Sequence, residues 1–121
     1  MTATRLETGR LGERAAVAYL RARGYRIVAT NWRTRLGEID VVAEQAGTLV
    51  FVEVRTRRTT GFGTAAESVD GRKQRQLVLM ATQYLQRHAP TASARIDVIT
   101  VSAAPHAPPE VEHLIGAVTG G

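Results

Sequence analysis

Three acidic residues, Glu13, Asp40 and Glu53, stand where the local pattern is apolar rather than solvated. Asp40 lies in Glu38–Glu44, where Ile39, Val41 and Ala43 alternate against Glu38, Asp40, Val42 and Glu44. That period of two predicts a strand. Glu53 lies in Leu49–Arg57, a second predicted strand with Val50, Val52 and Val54 on one side and Glu53 and Arg55 on the other. Gln45–Thr48, which contains Gly47, reads as the hairpin turn between them. A loop of Gln45–Thr48 and a tighter one of Ala46-Gly47 give the same register, with Asp40 opposite Glu53 and Glu38 opposite Arg55.

Two carboxylates set opposite each other repel. At about 5 Å and an effective dielectric near 20, the cost is roughly 3 kcal/mol, a large share of a small domain's stability. A shared proton, an arginine or a divalent cation can offset it. Oxygen ligands from Asp and Glu suit Mg²⁺ or Mn²⁺. A metal so held polarises a phosphodiester and lowers the pKa of a bound water, while a nearby cation stabilises charge on the phosphate. Arg55 and Lys73 are the candidates for that cation.

The elements that must position these groups are readable. Gly9–Arg23 predicts a helix ended by Gly24. Its apolar arc is Leu11, Ala15, Ala18, Tyr19 and Ala22, continued by Ala16, Leu20 and Val17, with Glu13 at the edge and Arg10, Arg14 and Arg21 on the remaining side. Tyr25–Asn31 predicts a strand. Asp70 can cap a helix to about Arg87 whose stripe is Leu77, Met80, Ala81, Tyr84 and Leu85, and Lys73 lies on that stripe. Ala94–Val101 predicts a further strand, parallel to Leu49–Arg57 across the helix, and Glu110–Val118 a short final one. The organisation is one α/β domain over 1–102, followed over 103–121 by a Pro-rich linker and a short C-terminal segment packing on the same domain.

The 121 residues carry a net charge of +5, with Lys73 the only lysine among 16 basic residues. A basic surface favours polyanions such as nucleic acid, but an Arg-rich genome gives the same count, so charge alone assigns nothing. There are no cysteines, which excludes disulfides, thiolate metal sites and a cysteine nucleophile. A reducing cytoplasm is the simplest fit. No signal peptide or membrane span is visible.

Gly37-Glu38-Ile39-Asp40, Phe51-Val52-Glu53-Val54-Arg55, Lys73 and Arg95-Ile96-Asp97-Val98, opened by Gly9-Arg10-Leu11-Gly12-Glu13 and closed by Glu112-His113-Leu114, resemble the YraN-type family of uncharacterised predicted endonucleases. That family in turn resembles PD-(D/E)XK nucleases and the archaeal Holliday-junction resolvases among them. The resemblance covers nearly the whole chain. It implies a restriction-endonuclease-like fold, a central mixed sheet flanked by helices, with Mg²⁺ or Mn²⁺ held by Glu13, Asp40 and Glu53. It also implies nucleic acid, DNA before RNA, as partner, with a homodimer left open. Arg55 stands where the motif uses lysine; Arg stays protonated and cannot act as a base, and the resemblance allows Lys73 to replace it.

Each residue also has a plainer reading. Glu38 and Arg55 can form a simple cross-strand ion pair, Lys73 a surface lysine, and Asp97 a partner for an arginine. Gly61-Phe62-Gly63 is too short for a phosphate loop. His88, His106 and His113 lack ligand spacing. Trp32 can stack on a base, though a lone tryptophan is more often core. The favoured expectation is Mg²⁺-dependent cleavage of nucleic acid, branched or structured DNA included, using Asp40, Glu53, Arg55 and Lys73. The alternatives are a binding module that kept the nuclease fold and a protein-interaction scaffold.

Overall fold

The computed structural model describes residues 5–58, 69–104 and 106–119. Helix α1 (Arg5–Ala22) is followed by strands β1 (Arg26–Thr34), β2 (Gly37–Gln45) and β3 (Thr48–Arg58). Helix α2 (Gly71–His88) leads to β4 (Ser93–Ala103), and β5 (Glu110–Val118) closes the chain. The strands form one mixed sheet in sequence order, antiparallel except for the parallel pair β3–β4. A helix packs on each face, so the architecture is mixed α/β, consistent with a restriction-endonuclease-like fold. Gly61-Phe62-Gly63 lies outside the described residues.

Strand alternation divides the core. Val50 and Val52 of β3 join Val41, Ala43, Ile99, Val101 and the α1 residues Ala16 and Leu20. Leu49 and Phe51 face the other way, onto Leu77, Met80, Ala81 and Tyr84 of α2. A strand buried on both faces reads as a near-continuous apolar run, which is why β3 is legible. The β2–β3 turn is the tight one, with Gln45 paired to Thr48 and positive φ at Ala46 (50°) and Gly47 (81°). Both angles are what a two-residue primed turn needs.

Helix α1 departs from its expected face. Gly12, Ala16 and Leu20 are buried, whereas Leu11, Ala18 and Ala22 are exposed. The buried stripe is therefore centred on an i, i+4 row of small residues and one leucine rather than on the broad apolar arc. Gly12 explains the rotation: a Cβ there would fall on Oγ1 of Thr56 in β3. The missing side chain lets the helix lie directly against the sheet, which brings Glu13 down to the strands.

β1 runs beyond the expected Asn31 to Thr34. Asn31 itself takes a left-handed φ of 52°, which Asn tolerates better than most residues. The strand is irregular elsewhere too, its register against β2 shifting between Ile27 and Ala29. Ala29 and Trp32, three positions apart, both pack toward α2, as residues of a regular strand could not.

Candidate metal centre

The hairpin register is as the sequence reading has it, from Gln45–Thr48 to Val41–Val52. The ladder then stops. One step further, the backbone N–H of Val54 donates to Oδ2 of Asp40 at 2.8 Å. The Asp40 side chain thus fills the fork between the parting strands, hydrogen-bonded to the carboxyl of Glu53. Burial, that hydrogen bond and the charge of Glu53 together push the Asp40 carboxyl up to about 8, with Glu13 adding to the rise and the Val54 N–H opposing it. Near neutral pH the pair holds a proton, one of the ways the repulsion between these acids can be relieved.

Glu53 is 4% exposed. Its Oε2 lies 3.2 Å from Nζ of Lys73 and 3.5 Å from a guanidinium nitrogen of Arg55. Neither contact has the alignment of a hydrogen bond, and Glu53 Oε2 and Arg55 Nε are buried without a hydrogen-bond partner among the described residues. Lys73 reaches Glu53 from the first turn of α2. Asp70 caps that turn, its carboxylate accepting the Lys73 N–H at 2.9 Å.

Oxygens of Glu13, Glu38 and Asp40 lie within 4.8 Å of one another. Glu53 is outside that set and touches it through Asp40. Glu38 is the residue the sequence reading left out. It does not pair with Arg55, because the β2–β3 ladder ends before reaching them. It lies instead beside β1, accepting from Asn31 at 2.7 Å and Arg33 at 3.0 Å. The signal for Glu38 was its place two positions before Asp40 on one strand.

Asn31 was also missed. Its amide nitrogen donates to both oxygens of Glu13, each at 3.1 Å, as well as to Glu38. One amide therefore bridges α1 and β2. An asparagine in mid-strand, where the residue is disfavoured, was the available clue.

Asp97 stands apart from the cluster. It is fully buried, with its oxygens taken by Arg95 Nε at 3.1 Å, His113 Nε2 at 2.7 Å and the Gly116 N–H at 2.9 Å. With Nε2–H donating to Asp97, Nδ1 of His113 accepts from the Tyr19 hydroxyl at 3.3 Å. This network ties α1, β4 and β5 together, so Asp97 does more than pair with an arginine.

Beside Glu13 and Asn31 runs a groove of about 470 Å³ lined by Arg10, Arg14 and Arg21. These are the arginines of the polar side of α1. Positive charge therefore lies next to the converging acids.

The profile of the uncharacterised protein family UPF0102 matches residues 12–101. The chain is 51% identical over 102 residues to a UPF0102 protein of Moorella thermoacetica, covering 84% of this chain and 85% of that one. It is 45% identical over 116 residues to one of Mycolicibacterium vanbaalenii, covering 95% and 96%. To one of Frankia alni it is 48% identical over 111 residues, covering 90% and 92%. Among the described residues no helix is long and apolar enough to cross a membrane.

Proposed function

We propose that this chain, which belongs to the uncharacterised protein family UPF0102, is a divalent-cation-dependent endonuclease that cleaves phosphodiester bonds in nucleic acid. The observation that carries this reading is the convergence of Glu13, Glu38 and Asp40 within 4.8 Å, next to a buried acid that faces two cations.

The residues present fit the ion. Three carboxylates offer hard oxygen donors, the set that Mg²⁺ and Mn²⁺ take. Burial first, then Glu53 and to a lesser degree Glu13, raise the Asp40 carboxyl, so its charged form lacks compensation that a cation would provide. Glu13, Glu38 and Asp40, with Glu53 beside Asp40, would hold such an ion, which would supply a water of lowered pKa and a positive centre for a phosphate oxygen.

The chain's own groups do the rest. Asp40 gives up its proton to become a ligand, so proton and metal compete for one site. Lys73 is a flexible donor held beside Glu53, able to face a water or phosphate oxygen. Arg55 stays protonated and supports phosphate charge without moving a proton. The arginines of α1 orient the backbone of the nucleic acid across the acids.

The test is cleavage of a panel of linear, flapped and four-way DNA substrates, with RNA counterparts, in Mg²⁺ or Mn²⁺ against EDTA. Metal-dependent cutting that Asp40→Asn abolishes supports the reading. A second reading, a nucleic-acid-binding module without turnover, rests on Arg55 standing at the motif's lysine position. Binding without cleavage in the same assay selects it.

A further inference from the structure

A second cavity lies on the far side of Arg33 from the acids. It measures about 520 Å³ and is walled by Trp32, Arg33 and Arg35 of β1 and its turn and by Gln83, Gln86 and Arg87 of α2. That volume is within the range of about 300–1,000 Å³ typical of small-ligand sites. No acidic residue lines it. Arg35 and Arg87 are exposed, and neither has an ion-pair partner among the described residues.

Trp32 is fixed rather than loose. Its ring meets Tyr84 edge to face, with centroids 5.2 Å apart at 81°, and Tyr84 is buried against Phe51 at 5.4 Å. The indole N–H has no acceptor among the described residues. A tryptophan presented this way offers a rigid surface for stacking, worth roughly 1–3 kcal/mol against a nucleobase. The Gln83 and Gln86 amides each carry donors and an acceptor, as the edge of a base requires. The unpaired arginines supply planar donors for phosphate.

The cavity is coupled to the acid cluster through consecutive residues. Asn31 donates to Glu13 and Glu38, Trp32 forms the wall, and Arg33 both lines the cavity and holds Glu38 at 3.0 Å. We infer that this cavity binds one unpaired nucleotide, its base stacked on Trp32 and its phosphate held by Arg35 and Arg87, adjoining the phosphodiester presented to the acids. The inference rests on the nucleic-acid reading above and adds a requirement for a single-stranded position beside the site of action.

Trp32 is the only tryptophan, so its emission reports this cavity alone. Labelled oligothymidylate and a blunt duplex of equal length are titrated into the full chain in EDTA at low salt. Anisotropy reads binding, and intrinsic fluorescence reads the cavity. Oligothymidylate is expected to quench Trp32 in step with the anisotropy curve, and the duplex to bind without quenching. Arg35→Gln/Arg87→Gln, a change at exposed positions, is expected to weaken the single strand about tenfold, some 1.4 kcal/mol, and the duplex far less. Anisotropy binding with unchanged Trp32 emission and no effect of the double substitution overturns the cavity while leaving nucleic-acid binding intact. Absence of binding by both probes overturns both. Equal quenching by an oligoglutamate peptide overturns the nucleotide in favour of an acidic peptide.

Discussion

Nζ of Lys73, in the first turn of α2, stands 3.2 Å from Oε2 of Glu53 on β3, and Arg55 approaches the same oxygen at 3.5 Å. Glu53 is buried and Lys73 half-buried, less exposed than Arg55, so the Lys73 contact is the less screened of the two. Lys73→Ala should destabilise the fold by about 1–3 kcal/mol in urea unfolding, because it leaves a buried acid without its nearer cation. It should also slow cleavage at least about tenfold. Arg55→Ala, at a more exposed group, should cost less in both assays, and Arg55→Lys should keep or raise cleavage. If both alanine variants cut as fast as the parent, neither cation takes part in the mechanism.

The proton on the Asp40–Glu53 pair makes stability depend on pH. The Asp40 carboxyl is raised from 3.8 to about 8, so the folded chain holds a proton that the unfolded chain releases between those values. The stabilisation is complete below the unfolded value and is lost as pH rises through about 8, with a slope of at most about 1.4 kcal/mol per pH unit. Asp40→Asn can still accept from Val54 and donate to Glu53, yet it cannot ionise. In EDTA its Tm should stay flat from about pH 6 to pH 9 while that of the parent falls. A parallel fall in both proteins would place the pH dependence elsewhere.

Much of this site is legible in the sequence, for reasons that can be named. Alternation and a Gly47 turn carry the β2–β3 register, so the approach of Asp40 to Glu53 follows from counting. The parting of the strands after Val41–Val52 is not visible in a periodic pattern, and that is why Glu38 reads as a partner of Arg55 when its partners are Asn31 and Arg33 of β1. The irregularities of β1 are equally hidden: its register against β2 shifts between Ile27 and Ala29, and Asn31 takes a positive φ, neither of which a periodic pattern shows. On α1 the arc of apolar residues predicts a face, but the close approach permitted by Gly12 decides which part of it is buried.

Glu38 gives the sharpest test of the proposed metal centre. Oxygens of Glu13, Glu38 and Asp40 converge, so Mn²⁺ should raise the Tm of the parent, and each of Glu13→Gln, Glu38→Gln and Asp40→Asn should weaken Mn²⁺ binding about tenfold or more. Glu44→Gln, on the same strand but paired with Arg26 at 3.2 Å, serves as the control and should bind as the parent does. Apparent affinity should also rise with pH up to about 8, as Asp40 loses the competing proton. An unaltered Mn²⁺ response in Glu38→Gln would remove Glu38 from the centre.

The arginines along α1 make a prediction about salt. Arg10, Arg14 and Arg21 line one groove beside Glu13. If they meet phosphates, the affinity of the parent for duplex DNA should fall steeply with salt, and each Arg→Gln change should reduce the log–log slope by about 1. A slope that does not change would mean that the backbone follows another path across the protein.

The last prediction returns to Gly12. A Cβ at this position would collide with Oγ1 of Thr56, with the Thr56 Cβ 3.0 Å and Cγ2 3.2 Å away. Thr56 is a β-branched strand residue with little freedom to turn aside, so Gly12→Ala must push α1 off the sheet. Alanine is otherwise the better helix former by about 1 kcal/mol, yet overpacking of this kind costs about 1–3 kcal/mol, and the net effect should be destabilising. Glu13 moves with the helix, which separates it from Asn31 and from Asp40. Mn²⁺ binding should therefore weaken more than a uniform loss of stability accounts for. Adding Thr56→Ala removes Oγ1 and Cγ2, and the double variant should recover part of both losses, a coupling that a thermodynamic cycle measures directly. Gly12→Ala with parental stability and parental Mn²⁺ affinity would show that α1 does not need this close approach to place Glu13.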